Sequence, residues 1–156
     1  MTVSKPGLYR DLAEQLRALL AGEADRIANA ANMAALIFNG LPDLNWAGFY
    51  FTQGNELVLG PFQGRPACVR IAWGNGVCGA AASRGATVLV PDVHEFPGHI
   101  ACDAASQSEI VVPLVKADGS LLGVWDVDSP SVARFDEQDR AGMEALCDVF
   151  MQALAV

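Results

Sequence analysis

Hydrophobic residues near the N-terminus repeat every three or four positions, which is the period of one face of an α-helix. Within residues 8–21 this face carries Leu12, Leu16, Leu19 and Leu20. The Ala-rich segment 23–38 predicts a second helix, which ends near Gly40-Leu41-Pro42. The chain is therefore expected to begin with two helices.

The pattern changes at Trp46 to the short aromatic and β-branched runs that are typical of strands. Strands are predicted at residues 46–52, 56–62, 67–73, 87–90, 109–116 and 121–128. Short turns join the first two and the last two of these, which makes both pairs antiparallel hairpins. A short Ala-rich helix reaches Arg84, and a closing helix, capped by Asp136, runs to about Leu154. This order predicts an α+β fold, with helices packed against a mainly antiparallel sheet.

Composition limits the class of protein. The 156 residues, 52% of them hydrophobic, fit a single globular domain over residues 1–156. A net charge of −8 argues against nucleic acid and anionic membrane surfaces as partners, because both attract clustered Lys and Arg. Four cysteines, with no secretory signal expected in residues 1–10, indicate reduced thiols in the cytoplasm.

Two motifs suggest chemistry that their context does not support. Residues 74–79 match G-x-G-x-x-G, but the helix that follows is too short for a parallel crossover in a dinucleotide-binding fold. His94 and His99 resemble a zinc-protease pair, but Pro97-Gly98 between them prevents a helical turn. Zinc held by the histidines and cysteines stays open, although histidines that shape a loop are favoured, because no C-x-x-C pair accompanies them.

Three cysteines lie in or beside turn-rich segments, where a thiol can react: Cys68, Cys78 and Cys102. Cys102 follows a long segment without periodicity, and such loops are often functional. Cys78 begins the short helix, whose dipole is expected to lower the pKa of its thiol. Cys147 lies among apolar residues of the closing helix and is predicted to be a core residue. On spacing alone, inert thiols are a better interpretation than catalytic ones.

Carboxylates strengthen the case for chemistry. Asp126 and Asp128 are two apart on a strand and so share a face, while Glu109 opens the neighbouring strand of the same hairpin. Converging carboxylates repel one another, which should raise at least one pKa and provide a proton donor near neutral pH. Asp128 can instead cap the turn before Ser129, but that reading does not suit Asp126.

Trp46, Gly48 and Tyr50 also share one strand face. Gly48 is expected to leave a gap between the two rings, although a half-exposed aromatic strand explains the pattern equally well. Aromatic rings, carboxylates and thiols together predict a small pocket for a cationic ligand.

These residues resemble a known family, the free methionine-(R)-sulfoxide reductases. The resemblance covers about Leu8 to Phe150. It is carried by NWAGFY (45–50), GPFQG (60–64), GVCG (76–79), FPGHIACD (96–103), SEIVVP (108–113) and DVDSP (126–130).

The resemblance implies a GAF fold, a homodimer, no metal or organic cofactor, and free methionine-(R)-sulfoxide as substrate. Cys102 would be the nucleophile, Cys68 the resolving thiol and Cys78 a third cysteine. The pocket walls would be Trp46 and Tyr50, and the group that binds substrate and assists at its oxygen would be Glu109, Asp126 and Asp128. Sulfenic acid on Cys102 would condense with Cys68, and a thioredoxin-like protein would reduce the disulfide. The alternatives are a GAF sensor module without chemistry and a general thiol peroxidase.

Overall fold

The computed structural model describes residues 4–99 and 104–154. Its helices are α1 (Lys5–Leu20), α2 (Arg26–Gly40), α3 (Gly76–Arg84) and α4 (Glu137–Leu154). Its strands are β1 (Trp46–Gln53), β2 (Glu56–Gly64), β3 (Arg70–Ala72), β4 (Val88–Val90), β5 (Ser108–Val115) and β6 (Leu121–Ser129). Within these ranges, no helix is long and apolar enough to cross a membrane.

The six strands form one sheet in the order β3-β2-β1-β6-β5-β4, and each neighbouring pair is antiparallel. The two hairpins predicted from the turns are β1–β2 and β5–β6. They join through β1 and β6, which are far apart in the chain. The predicted α+β class is therefore confirmed, with the sheet as its centre.

Side chains that cap the helix starts fix where α2 and α4 begin. Asp25 accepts a hydrogen bond from the Ala28 backbone N–H at 2.8 Å. The predicted cap Asp136 accepts from the N–H of Asp139 at 3.1 Å, and the Asp139 carboxylate accepts from the N–H of Asp136 at 2.9 Å. Asp139 is fully buried and also accepts from the Tyr9 hydroxyl at 2.7 Å. This reciprocal cap ties α1 to the start of α4.

The sheet has two differently covered faces. Helices α1, α2 and α4 cover the first face, and its core includes Phe49, Trp125 and Phe150. Cys147 is 3% exposed in this core, as predicted. The second face packs against α3, and its smaller core includes Trp46, Tyr50 and Cys78. The alternation of β1 thus sends aromatic residues to both faces, Phe49 to the first and Trp46 and Tyr50 to the second.

The third strand is shorter than predicted, Arg70–Ala72 instead of residues 67–73. The chain before it forms a loop, residues 65–69, whose backbone carbonyls bind side chains of β1. Trp46 Nε1 donates to the Arg65 carbonyl at 3.1 Å, and the Tyr50 hydroxyl donates to the Cys68 carbonyl at 2.9 Å. The loop therefore lies over the second face instead of extending β3.

Candidate active site

A cavity lies on the second face, between the sheet and the N-terminal end of α3. The aromatic side chains of its lining are Trp46 and Tyr50. Its polar lining consists of Asn75, Cys78, His99, Ser106, Glu109, Asp126 and Asp128. All the predicted pocket and carboxylate residues, together with one predicted cysteine, are therefore brought to one place.

Strand register creates this grouping. Glu109 on β5 lies opposite Asp128 on β6, which in turn lies opposite Trp46 on β1. In the next row that faces the same way, Asp126 lies opposite Gly48. Because residues two apart on a strand share a face, the carboxyl groups converge as the sequence predicted.

Two of these carboxyl groups are buried almost completely. Glu109 is 7% exposed and Asp126 is 5% exposed. Burial, followed by the charge of Asp126, raises the pKa of Glu109 well above its usual range. Burial, followed by the charge of Asp128, does the same to the pKa of Asp126. The cavity therefore holds protons on carboxyl groups at a pH where an exposed carboxyl group has lost its own.

Asp126 has one oxygen, Oδ1, with no hydrogen-bond partner among the residues described here. A buried oxygen without a partner destabilises the folded protein unless a hydrogen-bond donor or a cation contacts it. The cavity thus lacks a donor for this oxygen and suits a positively charged or proton-donating ligand.

Comparisons with known proteins agree with this geometry. The family model of the GAF domain matches residues 9–154. Free methionine-R-sulfoxide reductase of Escherichia coli is 48% identical over 98% of this chain and 92% of its own length. A solved structure of free methionine-R-sulfoxide reductase from Neisseria meningitidis in complex with its substrate has a TM-score of 0.94 and 43% identity, covering 99% of this chain and 93% of its own.

This chain is a GAF-domain protein of the free methionine-R-sulfoxide reductase family. A third relative is a Burkholderia vietnamiensis protein, described only as a candidate GAF sensor. It is 66% identical with a TM-score of 0.94, over 98% of this chain and 99% of its own. The expected GAF fold is thereby confirmed.

The three cysteines that the structure describes occupy different environments. Cys68 lies in the loop of residues 65–69, is partly buried, and takes part in a disulfide bond. Cys78 and Cys147 are free and buried, on opposite sides of the sheet. Cys102, the predicted nucleophile, lies outside the described residues.

The prediction that the helix dipole activates Cys78 is wrong. Burial, together with the charges of Asp126 and Glu109, raises the pKa of this thiol well above its usual value. Its Sγ lies 3.9 Å from Glu109 Oε2, close enough for the protonated thiol to donate a weak hydrogen bond. Desolvation and neighbouring negative charge therefore outweigh the N-terminal position of Cys78 on α3.

The expected gap above Gly48 is also absent, because Phe62 fills it. A Cβ atom at position 48 would overlap Phe62 and come within 2.8 Å of Trp46. The Phe62 ring stacks on Trp46 with centroids 5.2 Å apart, and Trp46 stacks on Tyr50 at 6.0 Å. Phe62 was missed because its pairing with Gly48 depends on the register across the first hairpin.

The G-x-G-x-x-G motif leads into a short helix, as the sequence indicated. The strands on either side of α3, β3 and β4, lie at opposite edges of the sheet, so no parallel crossover exists there. His94 pairs with Asp92 at 3.1 Å, whereas His99 lines the cavity. Burial and the neighbouring His94 lower the pKa of His99, which favours its neutral form. His99 and Ser106 are cavity residues that the sequence interpretation did not identify.

Proposed function

We propose that this protein reduces free L-methionine-(R)-sulfoxide to methionine with Cys102 as nucleophile and Cys68 as resolving thiol. The observation that carries the proposal is the row of Glu109, Asp128 and Trp46 across three strands, with Asp126 beside it. In one cavity this row supplies negative charge for an ammonium group and an aromatic wall for a methyl sulfoxide. The E. coli and N. meningitidis relatives are free methionine-R-sulfoxide reductases, which supports this proposal.

Selectivity for the free amino acid follows from charge. A cluster that contains Glu109, Asp126 and Asp128 attracts the α-ammonium of free methionine sulfoxide, and the unpartnered Oδ1 of Asp126 can accept from it. Methionine within a peptide has an amide nitrogen there, which carries no charge. The substrate carboxylate suits the first amides of α3, because Asn75 makes no side-chain cap to them.

The raised pKa values supply a proton for the sulfoxide oxygen. Glu109 and Asp126 both retain protons more strongly than ordinary carboxyl groups. One protonated group can therefore donate to the oxygen as it leaves sulfur, while an ionised neighbour holds the ammonium. Because the groups are coupled, the pair and not one residue sets the pH dependence.

The proposed reaction transfers one oxygen atom and two electrons. Cys102 thiolate attacks the sulfoxide sulfur, the oxygen passes to Cys102 as sulfenic acid, and methionine leaves. The Cys68 thiol then displaces water from the sulfenic acid to give a disulfide. A thioredoxin-type dithiol, oxidised in turn, restores both thiols without a metal or organic cofactor, in the cytoplasm.

Chain connectivity supports the placement of Cys102 in this scheme. It lies three residues after His99 and four before Ser106, and both of these line the cavity. The Cys68 carbonyl accepts from Tyr50, a cavity wall. Cys78 would act as a protonated neighbour of Glu109 that shapes the acid cluster, and not as a nucleophile. A homodimer is proposed on family resemblance alone.

The decisive experiment is NADPH consumption coupled to thioredoxin and its reductase. The substrates are the separate R and S isomers of free methionine sulfoxide, an R-sulfoxide peptide and hydrogen peroxide. We expect turnover of the free R isomer alone. Binding of the sulfoxide without NADPH consumption would instead establish a GAF sensor, and comparable turnover of peroxide would establish a peroxidase.

A further inference from the structure

We propose that the reduced protein binds one zinc-like divalent cation through Cys78, Glu109 and Asp126, and that this cation closes the substrate cavity. The residues belong to three elements, α3, β5 and β6, so the fold and not a local motif assembles the site. The site differs from the histidine and cysteine arrangement that the sequence left open.

The donor atoms have suitable spacing. One ligand atom from each residue lies within 4.8 Å of the other two. The Cys78 sulfur lies 3.9 Å from Glu109 Oε2. Zinc bonds of about 2.3 Å to sulfur and about 2.0 Å to oxygen at a tetrahedral angle require a sulfur–oxygen separation of about 3.5 Å. Small side-chain rotations therefore bring the three donors into coordination distance.

A second observation points to a ligand at this place. Asp126 is 5% exposed, and its Oδ1 has no hydrogen-bond partner within residues 4–99 and 104–154. A divalent cation supplies what this oxygen lacks, and its two positive charges offset most of the three negative charges on two carboxylates and a thiolate. Asp128, which lines the same cavity, or a water molecule can take the fourth position.

Ligand chemistry selects the class of cation. A thiolate prefers zinc, cobalt and cadmium over calcium and magnesium, which bind oxygen. The ligands must lose their protons to bind, so the cation competes with protons and binds more tightly as pH rises. Because magnesium does not prefer thiolate ligands, magnesium at millimolar concentration should leave the site empty.

The bound cation should inhibit sulfoxide reduction if the cavity is the methionine sulfoxide site. This consequence alone rests on the proposed function. A cation on Glu109 and Asp126 occupies the position proposed for the substrate ammonium. Zinc should then raise KM and leave kcat unchanged, and a chelator should reverse the effect. The reaction itself needs no metal.

The test is titration of the reduced full-length protein with Co²⁺, which reports a thiolate ligand by a near-ultraviolet charge-transfer band. We expect about one equivalent to bind and Zn²⁺ to displace it. Cys78→Ser should abolish the band, whereas Cys147→Ala, Cys68→Ser and Cys102→Ser should keep it. Asp126→Asn should weaken binding at least about tenfold. Thermal melts of each variant show whether it is folded.

Three results would overturn the proposal. They are no stoichiometric Co²⁺ binding, a band retained in folded Cys78→Ser, and a band lost in Cys68→Ser or Cys102→Ser, which would assign the metal to the redox thiols. Cobalt binding through Cys78 without sulfoxide turnover would refute the proposed function alone. Sulfoxide turnover without cobalt binding would refute the metal site alone.

Discussion

The two faces of the sheet are formed by the same strands but have different roles: the first is an apolar core and the second lines the candidate active site. On β6, the side chains of Trp125 and Val127 lie in the core of the first face. The alternating residues Asp126 and Asp128 line the cavity on the second face. Three helices cover the first face, and a short helix with loops covers the second. The first face stabilises the fold by burying apolar area, and the second buries charge at a cost to stability. Matched changes on the two faces should therefore have opposite effects.

The largest difference in turnover is expected between substitutions of Cys102 and Cys147. Cys102→Ser should lower turnover of free methionine-(R)-sulfoxide by at least about a thousandfold, because the nucleophile is lost. Cys147→Ser, on the first face, should leave turnover within about twofold and lower only the melting temperature, because it places a hydroxyl in an apolar core. The coupled NADPH assay checks both. Normal turnover by Cys102→Ser would refute the assignment.

Truncation on the first face should affect stability most. Phe49 is fully buried, with its ring centroid 4.8 Å from that of Trp125 and 4.7 Å from that of Phe150. Phe49→Ala should lower the free energy of unfolding by about 3–5 kcal/mol, as measured by urea denaturation. Under conditions where the variant stays folded, its KM should change little. A loss below about 1 kcal/mol would show that this core is not closely packed.

On the second face, Asp126→Asn should reduce activity and increase stability. The folded protein holds protons on Glu109 and Asp126 at a pH where the unfolded chain, with usual values of 4.5 and 3.8, has released them. Unfolding then releases protons, so the free energy of unfolding falls as pH rises above about 4.

Asparagine at position 126 removes one of these groups. The variant should gain roughly 1–2 kcal/mol at pH 8 and show a flatter pH dependence between pH 5 and 8. Its kcat/KM should fall by about a hundredfold, because the ammonium partner and a proton donor are weakened. Urea denaturation across this pH range, with Asp118→Asn on the exposed turn as control, measures the difference. A variant less stable at pH 8 would contradict buried-charge repulsion.

The smallest effect is expected from Tyr50→Phe, which keeps the aromatic wall but removes the hydroxyl that donates to the Cys68 carbonyl. One hydrogen bond contributes about 0.5–1.5 kcal/mol, so the rate of disulfide formation after sulfoxide addition should fall by about tenfold or less. Rapid mixing with a single equivalent of substrate and quantification of free thiols measures this step. An unchanged rate would show that Tyr50 only lines the cavity.

Local pattern predicted most of the fold. The helix α1, the hairpin turns and the Asp136 cap each depend on residues close in sequence, and each is confirmed. Of the leucines predicted on one face of α1, Leu12, Leu16 and Leu20 are buried, but Leu19 is 45% exposed. The shared face of Asp126 and Asp128 is likewise a property of one strand. By contrast, the start of β3 was placed wrongly, because distant side chains on β1 bind the loop that precedes it.

The sequence by itself determined the class of fold, the family and the residue types of the cavity, since these follow from local periodicity and short motifs. Only the tertiary structure decided the chemical state of the site. A position at a helix start predicts an acidic thiol at Cys78, but the carboxyl groups that surround it come from β5 and β6. Phe62 likewise fills the space at Gly48 only because of the register of their hairpin. Desolvation and charge act through space, so they depend on neighbours that chain order does not show.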